Sequence, residues 1–452
     1  MTRLRSTLGA VLMTIATLPA LVAAPAHAID IQRVVSPGGI EAWLVRDERT
    51  PIIAMEFAFE GGTALDPEGR EGTTTLMTGL LSEGAGPLDA AAFQERLADT
   101  AVGLGFSADR DGIFGNVRTL TENADEAWDL ARLALTAPRF DADAVERSRA
   151  QTLAGLRRDL ANPQSVAGQV FARTVFEGHP YARPGRGTTT TVPRITVDDL
   201  RGVHRARLAR DTLVVAVAGD ITAERLGPVL DRIFGDLPAR AAPFAVPPVT
   251  ARGAGEVVVV ERPVPQSIVS MGHQGVRRDE PDWFAAQIMN HVLGGGGFNA
   301  RLMQEIRVER GLTYGVSSGL ASWKRGALVT AGGSTNNASA GTFVDLVKAE
   351  WRRMAESGPT PEELADAKAF LTGSFPLQFT STGAIARVVL QVRRDDLGID
   401  YLNRRSGLIE AVTPDDVRRV ARTVLRPDAF LTVIVGRPEG VTPTRRITDW
   451  PG

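Results

Sequence analysis

Two side chains in this sequence have the chemistry to act together on an oxyanion. Arg307 and Tyr314 stand seven residues apart in the stretch Arg307-Val308-Glu309-Arg310-Gly311-Leu312-Thr313-Tyr314. A guanidinium and a phenol are donors of the kind that stabilise a tetrahedral oxyanion or hold a neighbouring carbonyl. Gly311 lets a helix end and a strand begin between them, so both can face one space. The same spacing also allows a surface ion pair of Arg307 with Glu305 or Glu309, with Tyr314 packed into a sheet. Upstream, Gly294-Gly295-Gly296-Gly297 breaks a helical pattern. No Gly-Lys-Ser/Thr follows, which argues against a phosphate cradle. A helix cap explains one or two of these glycines, and four in a row suggest a mobile loop.

Other chemistries lack a constellation. The five histidines are His27, His179, His204, His273 and His291; His27 falls in the leader segment described below, and none of the other four has a second histidine or an acid at metal-ligand spacing. His179 and His291 read as structural side chains. The absence of cysteine excludes a thiol nucleophile, a thiolate metal site and a lipid-anchored cysteine. Ser317-Ser318 has no nearby histidine, and no G-x-S-x-G elbow occurs. With 51 basic against 53 acidic residues the net charge is −2, which argues against nucleic acid or an anionic membrane surface as the main partner.

The elements that must position these residues come in two sets. Thr196–Gly219 and Thr413–Gly436 align without a gap, Asp199 on Asp416, Leu208 on Leu425 and Gly219 on Gly436. Each copy reads as an amphipathic helix, a polar turn and an apolar strand ending at glycine. A repeat this long is a duplicated domain, not a solenoid unit. In the first copy, strands are expected at Ile31–Leu44 (a hairpin), Ile52–Glu60, Val102–Ser107 and Gly112–Thr119. Helices are expected at Gly72–Leu81, Leu88–Thr100, Asn123–Leu135 and Asp141–Leu160. In the second, Glu256–Glu261, Ser267–Gly272, Tyr314–Ser322 and Ala327–Gly332 read as strands. Pro281–Leu293, Asn299–Glu309, Ala338–Ser357 and Pro361–Leu371 read as helices. The fold class is α+β: two homologous halves, each with helices packed on one face of a mainly antiparallel sheet.

The chain begins with a segment of a different kind. Arg3 and Arg5 precede an apolar stretch, Leu8 to Ala24, and Ala26-His27-Ala28 matches a small-x-small cleavage site. Residues 1–28 therefore read as a signal peptide cleaved after Ala28, and the periplasm is the expected location. The first half is expected at 29–237, a Pro- and Ala-rich linker at 238–252, and the second half at 253–452. No later run is long enough to span a bilayer.

The chain resembles the pitrilysin-like (M16) metallopeptidase family, which includes the mitochondrial processing peptidase. The likeness rests on the duplication, on His179-Pro180-Tyr181 before a Gly/Thr loop, on Leu293-Gly294-Gly295-Gly296 with Asn299-Ala300-Arg301-Leu302, and on the R-x-x-x-G-L-x-Y stretch from Arg307 to Tyr314. The resemblance implies two halves that enclose a chamber. It also implies a zinc site in the first half, where H-x-x-E-H on a helix supplies two ligands and a general base, and a later Glu supplies the third ligand. Here Thr75 and Gly79 fall at the two histidines, Thr78 at the catalytic Glu, and Gly155 at the third ligand. Neutral threonine is a poor zinc ligand and no base, and glycine offers no side chain.

No zinc or other cofactor is therefore expected in this chain. By the resemblance, a chain that loses the zinc motif and keeps the second-half Arg and Tyr is a complementary subunit. It would pair with a zinc-bearing homologue as a heterodimer, lend Arg307 and Tyr314 to the partner's site, and bind a peptide or unfolded polypeptide. The run Gly294–Gly297 would touch that substrate, by analogy with the glycine-rich loop of the processing peptidase. Substrate strands would add to a sheet edge, with Ala327–Gly333 or Ile52–Glu60 as candidates. The alternative is a non-proteolytic, homodimeric binding or scaffold protein of the same fold.

Overall fold

Apolar alternation in the two copies produces two six-stranded sheets that share one strand order over five strands, the sixth being the first strand of the chain in one sheet and the last in the other. The computed structural model describes residues 29–451, so the segment read as a signal peptide lies outside the described residues. The first sheet contains β1 (Gln32–Val35), β2 (Glu41–Arg46), β3 (Ile52–Glu60), β4 (Gly103–Ala108), β5 (Gly112–Leu120) and β6 (Leu213–Gly219), ordered β1-β2-β6-β3-β5-β4. The second contains β7 (Val257–Glu261), β8 (Gln266–Gln274), β9 (Val316–Trp323), β10 (Gly326–Asn336), β11 (Leu431–Gly436) and β12 (Arg445–Ile447), ordered β12-β7-β11-β8-β10-β9. Pairing is antiparallel except between β2 and β6, β7 and β11, and β7 and β12.

The helices of the first copy are α1 (Thr73–Leu80), α2 (Ala90–Asp99), α3 (Ala124–Thr136), α4 (Ala142–Ala161), α5 (Pro163–Val175), α6 (Val197–Arg207) and α7 (Ala223–Phe234). Those of the second are α8 (Trp283–Asn290), α9 (Ala340–Ser357), α10 (Pro361–Gly373), α11 (Thr382–Arg394), α12 (Tyr401–Glu410) and α13 (Pro414–Val424). The duplicated segment is α6 with β6, and α13 with β11. Asp199 and Asp416 close matching capping boxes with Thr196 and Thr413, which satisfies the free N–H groups of each first turn. Gly219 and Gly436 both carry positive φ, 128° and 152°. A Cβ on Gly219 would come within 2.1 Å of the Ile52 carbonyl oxygen, so glycine is required where the strand leaves its neighbour.

Each sheet is buried on both faces, which departs from the one-sided packing expected above. Along β6, Val215 and Val217 face α1, α3, α6 and α7, while Ala216 and Ala218 face the opposite way. That opposite face is covered by α11, a helix from the second copy, through Ile385, Ala386, Val389 and Leu390. The exchange is reciprocal. From the first copy, α5 lays Val166, Ala167 and Val170 against Val258, Val260, Val433 and Val435 of the second sheet. Small residues at Ala54, Ala58, Ala216 and Ala218 let α11 approach the first sheet closely.

The exchange places further corrections on the elements. Both strands expected as open edges are internal: β3 lies between β6 and β5, and β10 between β8 and β9. The edges nearest the sites are β4 and β9. The helix expected at Asn299–Glu309 is instead a short 3₁₀ turn, Gly297–Asn299, followed by a π-helical turn, Met303–Val308. A second π turn, His291–Gly295, follows α8.

Candidate functional site

The positions of the family's zinc motif converge, but as a different structure. At the start of α1, Gly72 adopts φ 98°, and the buried Asp66 caps the helix. Its carboxylate accepts from Gly72 N (2.8 Å), Thr74 N (3.0 Å) and Thr74 Oγ1 (2.5 Å). Burial pushes the Asp66 pKa up to about 6, against these three bonds, which favour the charged form. One turn on, the Thr75 hydroxyl donates to the Gly185 carbonyl at 2.6 Å. Thr78 is buried and donates to the Thr75 carbonyl at 2.9 Å. Gly79 faces outward with nothing within 4 Å of where a Cβ would stand.

Packed against α1 is α4, which carries Gly155. A Cβ at Gly155 would lie 2.6 Å from Arg186 Nη2 and 3.8 Å from Arg158 Nη2. Thr75, Thr78, Gly79 and Arg186 line one cavity of about 540 Å³, together with Phe106 and Asp109. The Arg186 guanidinium thus stands where a third metal ligand would project. The loop that delivers it is pressed onto α1. A Cβ on Gly187 would meet the Glu71 carbonyl oxygen at 2.2 Å, and a Cβ on Gly72 would meet the Arg186 carbonyl oxygen at 2.8 Å. Thr191 Oγ1 donates to that same Glu71 carbonyl at 2.9 Å.

These residues do not fit zinc. A hydroxyl already committed to a backbone carbonyl, two glycines and a resident cation make a site that repels a metal ion. Among the described residues no group of three or more His, Asp or Glu side chains is arranged to hold a metal. Sequence reasoning found the four degenerate positions and missed Arg186. The available signal was an arginine between two glycines in the loop after His179-Pro180-Tyr181.

The histidines serve the frame. Tyr181 N donates to His179 Nδ1 at 3.1 Å, which leaves the Nε2–H to reach the Pro247 carbonyl of the linker at 2.9 Å. Trp351 Nε1 donates to the buried His273 Nε2 at 3.0 Å, so the Nδ1–H faces the Gln274 carbonyl. Burial pushes the pKa of His273 down. His204 reaches the Leu135 carbonyl at 2.8 Å, and His291 lies against the Phe370 ring, centroids 4.8 Å apart.

The second-half pair is placed differently from the ion-pair alternative. Glu305 and Glu309 pair with Arg310, not with Arg307. The Arg307 guanidinium sits 4.6 Å from the ring centre of Phe298. Tyr314 precedes β9 and is 83% exposed, so it is not packed into the sheet. Phe298, over which the Arg307 guanidinium lies, and the adjoining Val308 are exposed, an apolar surrounding that strengthens the electrostatics of that guanidinium once covered.

Packing explains much of the glycine run. A Cβ on Gly294 would come within 2.6 Å of Ser318 N and Oγ, so the close approach of the π turn to β9 demands glycine there. Gly295 and Gly296 press on Asn290 and His291, and Gly297 carries φ 67° with open space around it.

Comparison with known proteins agrees with this arrangement. A family model described as the peptidase M16 inactive domain matches residues 194–371. The non-peptidase homolog YmxG of Helicobacter pylori is 30% identical over 334 residues, covering 73% of this chain and 76% of that one. An uncharacterized zinc protease of Streptomyces coelicolor is 29% identical over 326 residues, 70% of either chain. The crystal structure of a peptidase M16 inactive domain from Pseudomonas fluorescens superposes with a TM-score of 0.86 at 26% identity, over 92% of this chain and 100% of that one.

Proposed function

This chain belongs to the peptidase M16 family, as an inactive homologue of its peptidases, and we propose that it serves as the zinc-free subunit of a heterodimeric peptidase. In this reading it is exported to the periplasm after cleavage at Ala28. It pairs there with a zinc-bearing homologue and binds a peptide or unfolded polypeptide between the two subunits. Its 29–237 half forms a wall of the substrate space, and its 253–452 half, joined through 238–252, presents Arg307 and Tyr314 to the partner's site. Gly297, at the tip of the glycine run, and the neighbouring Phe298 are the part of that segment positioned to touch substrate.

The observation that carries the reading is the contrast between the two sites. The zinc positions are filled by threonine, glycine and an inserted arginine, whereas no acid among the described residues pairs with Arg307 and Tyr314 is 83% exposed. An exposed tyrosine hydroxyl with no partner among the described residues is available as a donor to an oxyanion or a substrate carbonyl.

The test is peptide hydrolysis by the mature chain alone, by a zinc-bearing homologue alone, and by the mixture. Activity is expected in the mixture only. Tyr314→Phe or Arg307→Ala should lower it by about 10²–10³-fold, the usual effect of removing one oxyanion donor. No gain on mixing, with no complex on size-exclusion chromatography, would overturn the proposal and leave the scaffold alternative in front.

A further inference from the structure

The former metal site has acquired a charge of its own, and we propose that it binds the carboxylate of an extended peptide through Arg186. The proposal deepens the peptide-binding part of the reading above and does not depend on the partner subunit. The guanidinium reaches its place through a loop fastened at both ends, by Thr75 on the Gly185 carbonyl and by the close seat of Gly187 on Glu71. Thr75 is in this sense a clamp and not merely a lost ligand.

One donor of Arg186 is committed, Nη1 to Asp159 at 2.7 Å. Nη2 lies over the bare backbone of Gly155, and the side chain as a whole is 52% exposed to the cavity mouth. A planar fork with free N–H groups matches a carboxylate better than any other peptide group. Arg158 adds a second positive charge on the same side. The opposing charges are Asp159, paired with Nη1, and Asp109, which is held by the backbone N–H groups of Asp111 and Gly112 and faces Arg394 at 4.0 Å.

Geometry also indicates an extended ligand. Phe106, Ser107 and Ala108 of β4 line the cavity, and β4 is a sheet edge paired on one side only, by β5. A peptide added to that edge would run past Arg186, placing a carboxylate within its reach. The carboxylate could be the peptide's C-terminus or an Asp or Glu side chain, since the chemistry of recognition is shared.

The probes are three fluorescein-labelled decapeptides of alternating serine and valine: the free acid, its C-terminal amide, and the amide with one internal Glu. Binding to the full mature chain would be followed by fluorescence anisotropy. The free acid, the Glu-containing amide or both should bind at least about tenfold more tightly than the plain amide, in keeping with charge-assisted hydrogen bonds. Which of the two gains identifies the source of the carboxylate. Arg186→Gln should bring binding of the carboxylate-bearing peptides down to that of the plain amide, and Arg186→Lys should recover part of the difference. Gly155→Ala gives a second check, because its new methyl displaces the guanidinium from a helix that gains in propensity. Equal binding of all three peptides, or a preference that survives Arg186→Gln, would overturn the carboxylate site while peptide binding stands. No binding of any peptide would overturn both.

Discussion

At the scale of single residues, the loss of the zinc site is a replacement and not an erosion. Arg186 occupies the space a ligand at 155 would need, and Thr75 secures the loop that carries it. Rebuilding the motif by Thr75→His, Thr78→Glu, Gly79→His and Gly155→Glu together should therefore fail to load zinc. The new carboxylate at 155 would pair with Arg186 in preference to a metal, and the cation would repel the ion. Adding Arg186→Ser to the four changes should raise bound zinc toward stoichiometric, as read by elemental analysis after dialysis. Equal zinc in both variants would show that Arg186 is not the obstacle. Gly155→Ala should hold or raise thermal stability, since glycine inside a helix costs about 0.5–1 kcal/mol relative to alanine.

At the scale of elements, buried contacts between strand and helix decide stability. Leu390 of α11 is buried on the first sheet, and Leu390→Ala should lower unfolding free energy by about 2–5 kcal/mol in urea titration. The link between β8 and α9 makes a pH-dependent contribution. His273 is neutral in the fold because its Nε2 accepts from Trp351, and burial holds its pKa below the ordinary value. A depressed histidine pKa means that the unfolded chain takes up the proton first on acidification. The contribution is therefore complete above about pH 6.5 and falls as pH drops below that value toward the depressed one. The stability gap between wild type and His273→Phe should shrink between pH 7.5 and pH 5, and a constant gap would show that His273 is not held neutral.

At the scale of the whole molecule, α5 and α11 bind each half to the other's sheet. A seam of polar contacts adds to this. Lys324 N donates to Asp111 at 3.0 Å, and Arg325 N donates at 3.2 Å to the hydroxyl of Tyr181, which itself donates to Asp111. The halves should therefore stay together without a continuous linker. A protease site inserted after the exposed Ala239 should give, on cleavage, two fragments that still co-elute on native size-exclusion chromatography and separate only in denaturant. Separation under native conditions would show that the exchanged helices are too weak to hold the halves.

The sequence alone determined the local elements and the chemistry lost. The gapless match of Thr196–Gly219 to Thr413–Gly436 exposed the duplication without coordinates, and the capping boxes at Thr196 and Thr413 show that the matched residues do the same local work in both copies. Side-chain identity at 75, 78, 79 and 155 was enough to remove zinc chemistry, because a missing ligand is a local fact. Strand edges, exchanged helices and the place of Arg186 were decided only by tertiary structure. Whether a strand is an edge depends on which distant strand pairs beside it, and β3 and β10 look no different from edge strands in their own residues. Helix α5 was not among the elements expected from sequence, although Asn162 caps it and Pro163 opens it, and the sheet it covers is set only by the fold. Arg186 lies far along the chain from Thr75 and Gly155, and only the fold brings its charge into the space that their side chains left open.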